Sequence, residues 1–299
     1  TTVSVDEFYI PYEYSFLRLE RTGLATVQLT NMLSSGTVRL TNGVAMGYNG
    51  LRANILVKDP DGRVGFATQN DAFQFARYTN ALALTAGNSS TTDHVSLVSD
   101  LTRAAPLSFS TLAIDATAGS VTLNMGGYAF QTNNANIGRG IVINGSQPVS
   151  IRGGTHGTQS STLLYNHGSG KFAWELTNNA SCVLVSAGPG LTEITQPVLS
   201  SLFVSEGVTR LTAAVNYTSG NLYLLANGVL EIGADLNSTT AGDFTRAVAI
   251  LAGGGFSAYG ADRTVNIGGA GAPLSWPQDG KPLIFSSPFA NATLIFANP

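Results

Sequence analysis

Charge is what this sequence has least of. Asp, Glu, Lys and Arg make up 11% of its 299 residues, less than half their usual share. Lysine occurs only at Lys58, Lys171 and Lys281. A formal net charge of −3 gives no electrostatic basis for gripping nucleic acid or an acidic membrane surface. Cysteine is reduced to Cys182, which excludes a disulfide framework and a thiolate zinc site and reads as a small core residue. No apolar run approaches the roughly eighteen residues of a membrane span, so no membrane insertion is expected. The chain opens on Thr1-Thr2 without a basic and apolar leader, as a mature or excised segment of an exported protein also would. Helical periodicity is almost absent.

In place of charge stand 34 glycines and many Asn, Thr and Ser residues, which suit turns and the polar sides of strands and sit poorly in helices. Apolar content is an ordinary 43%, enough for a sizeable core. Short apolar or alternating runs recur, bounded by Gly, Asn, Ser, Pro or Asp, which is the strand signature. They include Leu112–Ile114, Val121–Leu123, Ile141–Ile143, Val149–Ile151, Thr162–Leu164 and Phe172–Leu176. Further on come Thr192–Ile194, Leu202–Val204, Leu211–Val215, Leu222–Leu225, Val229–Ile232, Thr264–Ile267, Pro282–Phe285 and Thr293–Phe296.

That rhythm fits a parallel stack or an antiparallel sandwich. Very short strands, corner-like linkers such as "NMGGY" and "NGSQP", and asparagines after strands (Asn124, Asn144, Asn178, Asn227) favour the stack. Such asparagines form ladders where coils superimpose. The expected fold is all-β, a right-handed parallel β-solenoid or β-helix; the alternative is a β-sandwich or jelly roll. In a solenoid each coil buries its inward residues only against its neighbours, and the end coils carry open strand edges.

Residues 1–100 read as an N-terminal β region, a cap or the first coils, and residues 101–299 as the solenoid. "DEFYIPYEYSFLRLERTG" crowds Phe8, Tyr9, Tyr12, Tyr14 and Phe16 together. It reads either as an edge strand with a cap or as a docking strand that completes a neighbouring subunit. "ILVKDPDGRVGFATQ" reads as a hairpin turning on Asp59-Pro60-Asp61-Gly62. The acidic turn lacks the third acidic position and the closing Glu of an EF-hand loop.

Catalytic patterns are missing. No two close acids fall in the regular strand series, so no carboxylate pair for glycosidic chemistry is expected. Asp243 with Arg246 and Asp262 with Arg263 read as local ion pairs or turn caps. His156 and His167 share a loop-rich tract with Lys171, without ligand spacing for a metal. "NHGSGKF" has Tyr165 where a phosphate loop has its first glycine and Phe172 where it has Ser or Thr. "GGGFSAYG" follows no strand–turn–helix unit. No enzyme, cofactor or metal site is expected.

The C-terminal stretch "NGVLEIGADLNSTTAGDFTRAVAILAGGGFSAYGADRTVNIGGAGAPLSW", continuing to "NATLIFANP", resembles bacterial proteins with autotransporter-associated β-strand repeats. "TTDHVSLVSDLT" and "LAIDATAGSVTLNMGGYAF" resemble them too. The usual repeat is degraded over Gly188–Gly207. The resemblance implies an exported β-solenoid at the bacterial cell surface, with structural motifs and no catalytic residues. The function expected is therefore a non-enzymatic extracellular unit of a surface layer, fibre or filament. It would self-associate through open edges at the aromatic N-terminal strand and at Leu294 and Phe296. The alternative is an adhesin binding polysaccharide or a host surface, with Tyr165, Trp174, Tyr223, Tyr259 and Trp276 as candidates for an exposed aromatic face. A carbohydrate-active β-helix enzyme is the third reading.

Overall fold

In the computed structural model the short strands stack in parallel, each pairing with the strand one coil before it and one coil after it. This is a parallel β-solenoid, not a sandwich. The structure describes residues 2–5, 17–20, 26–29, 39–46, 55–69, 75–87, 90–130, 139–157, 161–177, 183–197, 201–212, 222–225, 227–237, 248–250, 253–267 and 282–298. Phe8, Tyr9, Tyr12, Tyr14, Phe16, Asn178, Cys182, Asp243, Arg246 and Trp276 lie outside them. Among the described residues no helix is long and apolar enough to cross a membrane.

Two nine-stranded sheets form the main faces. The first face runs from Leu82–Ala83 through His94–Leu97, Thr111–Ala116, Arg139–Gly145, Ser161–Asn166, Val183–Ala187, Leu202–Val204 and Leu222–Leu224 to Val248–Ile250. The second runs from Leu101–Thr102 through Val121–Asn124, Val149–Arg152, Phe172–Trp174, Leu191–Ile194, Val208–Leu211, Gly228–Ile232 and Gly254–Ala258 to Leu283–Phe285. A third face has strands toward the two ends, Ala129–Phe130 with Thr155–His156, and Leu236–Asn237 with Arg263–Asn266 and Leu294–Phe296. The stack thus opens at Leu82, within the region before residue 101.

Parallel pairing in register sets residue above residue. Leu123, Ile151, Trp174, Ile194, Leu211 and Ile232 form one inward column, and all are buried. Each such side chain contributes about 1.5–3 kcal/mol on burial, but only once the next coil covers it. Corners are tight: Gly188 (φ 97°) and Gly207 (φ 68°) turn from the first face to the second. A Cβ on Gly207 would strike the carbonyl oxygen of Gly188 one coil below, so both the φ and the stacking distance call for glycine.

Two glycines of "GGGF", Gly254 and Gly255, lie inside the strand Gly254–Ala258. Here too neighbouring coils press close, since a Cβ on Gly255 would strike the carbonyl of Ile284. The expected asparagine ladder is not formed by the described asparagines. Asn124 Oδ1 accepts from its own corner at Gly126 N (3.0 Å), Asn144 stacks on Asp115, and Asn227 adopts φ 66°.

The N-terminal region supplies a separate sheet of Leu17–Glu20, Ile55–Lys58, Val64–Gln69 and Phe75–Arg77. The expected hairpin is present, with Leu56 opposite Phe66 in an antiparallel pair. A second hairpin, Arg39–Thr41 with Val44–Met46, turns on Asn42 (φ 47°) and Gly43 (φ 88°), the left-handed pair that an Asn-Gly hairpin turn needs. The hairpin of Ile55–Lys58 and Val64–Gln69 lies on the outer side of the first face. Leu56, Val64 and Phe66 pack there against Val142, Tyr165 and Ala187. Asn144 fastens the join: its side chain accepts from Val64 N (2.9 Å) and donates to Val64 O (2.8 Å).

Candidate functional site: a buried charge column

Leu191–Ile194, Val208–Leu211 and Gly228–Ile232 each carry one charged residue at the same outward place. Register puts Glu193 on Arg210 and Arg210 on Glu231. Arg210 Nη1 donates to Glu193 Oε2 at 3.1 Å and Nε to Glu231 Oε2 at 2.5 Å. Lys171, from the coil before, donates to Glu193 Oε1 at 2.7 Å. From the far side, Ser257 and Ser287 hydroxyls donate to Glu231 Oε1 at 3.4 and 2.5 Å. The Arg210 guanidinium carbon stands 3.6 Å from the Tyr259 ring centroid, close enough for a cation–π contact.

No two close acids are expected in the strand series, and in the fold Glu193 and Glu231 stand two coils apart with Arg210 between them. Two strand carboxylates flank one guanidinium across three coils. Their side chains are 11% and 0% exposed, and each carboxylate oxygen named above already accepts from a protein donor. An acid–base pair needs a carboxylate that faces substrate and is free to exchange its proton; these two face Arg210. What the arrangement can do is set register. Alternating signs attract down the stack, whereas a slip of one coil would set like charge on like charge. Each side chain holds its place only while its neighbours do, because removing one partner strands a buried charge.

The histidines serve the interior and the N-terminal join. His156 is buried, edge-on to Trp174 at 5.1 Å and to Phe130 at 6.2 Å, with Nε2 2.9 Å from the Thr162 hydroxyl. Burial pushes its pKa down to about 3, so it is neutral. His94 Nδ1 lies 2.8 Å from the Thr111 hydroxyl. His167 stacks on Tyr165 at 6.2 Å, and its Nε2 donates to the Gly62 carbonyl at 3.2 Å. Burial lowers its pKa, with Lys58 and Arg18 adding to that and the Gly62 hydrogen bond opposing it. Lys171 pairs with Glu193 and belongs to the charge column. Among the described residues no group of three or more His, Cys, Asp or Glu is placed to hold a metal ion.

A second buried cation sits inside the stack. Arg139 opens a first-face strand, has no exposed surface, and donates through Nη1 to the Phe109 carbonyl. Its Nε and Nη2 have no hydrogen-bond partner, and burial lowers its pKa to about 10.

The residues proposed for an exposed aromatic face are scattered. Trp174 and Tyr165 are buried, Tyr223 stacks on Phe203 at 4.3 Å, and Tyr259 covers Arg210. Asp262 does not pair with Arg263; its Oδ1 accepts from Thr293 N at 2.8 Å, one coil on, and that bond lowers its pKa. Leu294 and Phe296 pack partly against the core, in a strand whose paired edge faces Arg263–Asn266.

Fold and column together define a parallel β-solenoid locked by a line of alternating charges. Comparison with protein-family models, curated proteins and solved structures finds no match for this chain.

Proposed function

We propose that this protein is a non-enzymatic structural unit of a bacterial cell surface, a solenoid that adds end to end to further copies of itself through its open strand edges. The observation that carries the reading is where apolar surface remains. Among the described residues, the large apolar side chains left exposed at the ends of the stack are Leu82 (60%) in the first coil and Phe285 (57%), Phe289 and Ile295 (47%) in the last, with Val98 and Tyr128 lying away from the end strands. Among the described residues, Leu283–Phe285 pairs on one edge only, with Gly254–Ala258, and Leu82–Ala83 on one edge only, with His94–Leu97. Unpaired edges beside apolar side chains template further pairing. A head-to-tail contact of this kind builds an open filament, not a closed dimer. Low charge and abundant Thr and Asn suit such a wall, and the repeat resemblance favours export to the surface.

Electron microscopy and light scattering test the reading. Filaments with a regular axial repeat are expected from the purified protein, and a Phe285→Lys, Ile295→Lys double variant shortens them at least tenfold. Monodisperse monomers at every concentration would overturn it. The contribution of the aromatic N-terminal segment is tested separately: deleting residues 1–16 weakens assembly, and undiminished filaments would remove Phe8, Tyr9, Tyr12, Tyr14 and Phe16 from the contact.

A further inference from the structure

Where the N-terminal hairpin lies on the first face, the join is incomplete and leaves a cavity of ≈ 180 Å³, far above what a single water needs. From the geometry we infer that this cleft is a binding site for a neutral saccharide ring. The inference does not depend on end-to-end assembly, because the cleft lies on the flank of the stack.

Its rim carries a loose ion pair. Arg63 Nη1 stands 3.5 Å from Asp115 Oδ2, and Arg63 Nε stands 4.0 Å from Asp61 Oδ2; neither makes a direct hydrogen bond. Asp115 Oδ1 is occupied by the Thr117 amide (3.0 Å) and hydroxyl, which orients the carboxylate and leaves Oδ2 toward Arg63. The two side chains are 49% and 31% exposed, open to a ligand. A donor and an acceptor held just beyond contact suit a vicinal diol: one hydroxyl donates to the carboxylate while its neighbour accepts from the guanidinium.

Tyr78 and Val98 supply apolar wall, and Val98 is the most exposed large apolar side chain among the described residues. The C–H face of a pyranose covers such a wall while its hydroxyls reach the rim. Charge balance selects the neutral sugar. Arg77, the other cation of the cleft, is paired with Asp59 at 2.8 Å, and Arg63 already faces Asp61 and Asp115. A uronate or phosphate brought here would find its cations neutralised.

Affinity electrophoresis tests this in gels cast with dextran, galactomannan, soluble starch or polygalacturonate. The wild-type protein is expected to be retarded by at least one neutral polymer and not by polygalacturonate. Arg63→Gln and Val98→Asp each weaken that retardation at least tenfold with an unchanged unfolding midpoint, and Asp115→Asn does the same. If Asp115→Asn unfolds, the first two variants decide, since Arg63 and Val98 are exposed. No retardation by any neutral polymer, equal retardation of Arg63→Gln and wild type, or preference for polygalacturonate would each overturn the assignment. Wild-type protein that stays monomeric yet is still retarded would count against the assembly reading alone.

Discussion

Three arginines are buried among the described residues, Arg103, Arg139 and Arg210, and the surroundings of the last two differ in kind. Arg210, on the outer side of the second face, lies between Glu193 and Glu231 and under Tyr259. Arg139, on the inner side of the first face, has one carbonyl and two nitrogens without partners. Burial alone is costly for a guanidinium, so the same residue type secures the fold at one site and strains it at the other. The inner positions of a solenoid ask only for apolar volume, and a charge there has no opposite neighbour in register. The outer positions let a charge meet its complement one coil away.

Substitutions can break that contrast, beginning with the largest effect. Arg210→Met leaves Glu231 buried without a counter-charge and Glu193 with Lys171 alone, and is expected to cost about 3–5 kcal/mol in chemical denaturation. Replacing Glu193, Arg210 and Glu231 together by Leu, Met and Leu removes all three charges and should recover most of that loss. A triple variant as unstable as Arg210→Met would show that the column is not the source of the effect.

The interior has its own acid sensitivity. The pKa of His156 falls from 6.5 in the unfolded chain to about 3 in the fold. Above about pH 6.5 neither state is protonated. As pH falls toward 3 the unfolded chain takes up a proton that the fold refuses, so stability declines by up to about 1.4 kcal/mol per pH unit. His156→Gln should flatten that slope in urea titrations run between pH 7 and pH 4; an unchanged slope would move the sensitivity elsewhere.

Smaller effects sharpen the comparison. Arg139→Met removes an uncompensated charge and is expected to raise stability by about 1 kcal/mol, opposite in sign to Arg210→Met. A loss of similar size would mean that Arg139 has a compensating partner. Lys171→Met touches only the exposed end of the column, with a side chain 46% exposed, and should change stability by less than about 1 kcal/mol. Added salt should abolish even that difference.

Much of the fold is legible in the runs of apolar residues. "VTLN", "VSIR" and "FAW" are strands because alternate side chains are apolar and the flanks are turn formers. The Asn42-Gly43 turn was readable from its dipeptide alone. The charge column was harder, since Arg210 lies 17 residues from Glu193 and 21 from Glu231, beyond any local window. Yet "LTEI", "VTRL" and "VLEI" carry their charge in one aligned place, and superimposing the strand strings sets the three in a line. The strand Gly254–Ala258 was hidden for the opposite reason: glycine reads locally as a turn, and only the closeness of the next coil explains it in a strand. The cleft at Arg63 depends on where the hairpin docks, through Asn144 and Val64, and no run of residues announces that.

The parallel ladders have a mechanical consequence. Nine strands on each main face run across the stack, so their backbone hydrogen bonds run along it. A pull on the two ends loads every bond between one pair of coils at once, whereas a pull on a single strand end opens them one after another. The solenoid is therefore strongest along its own length.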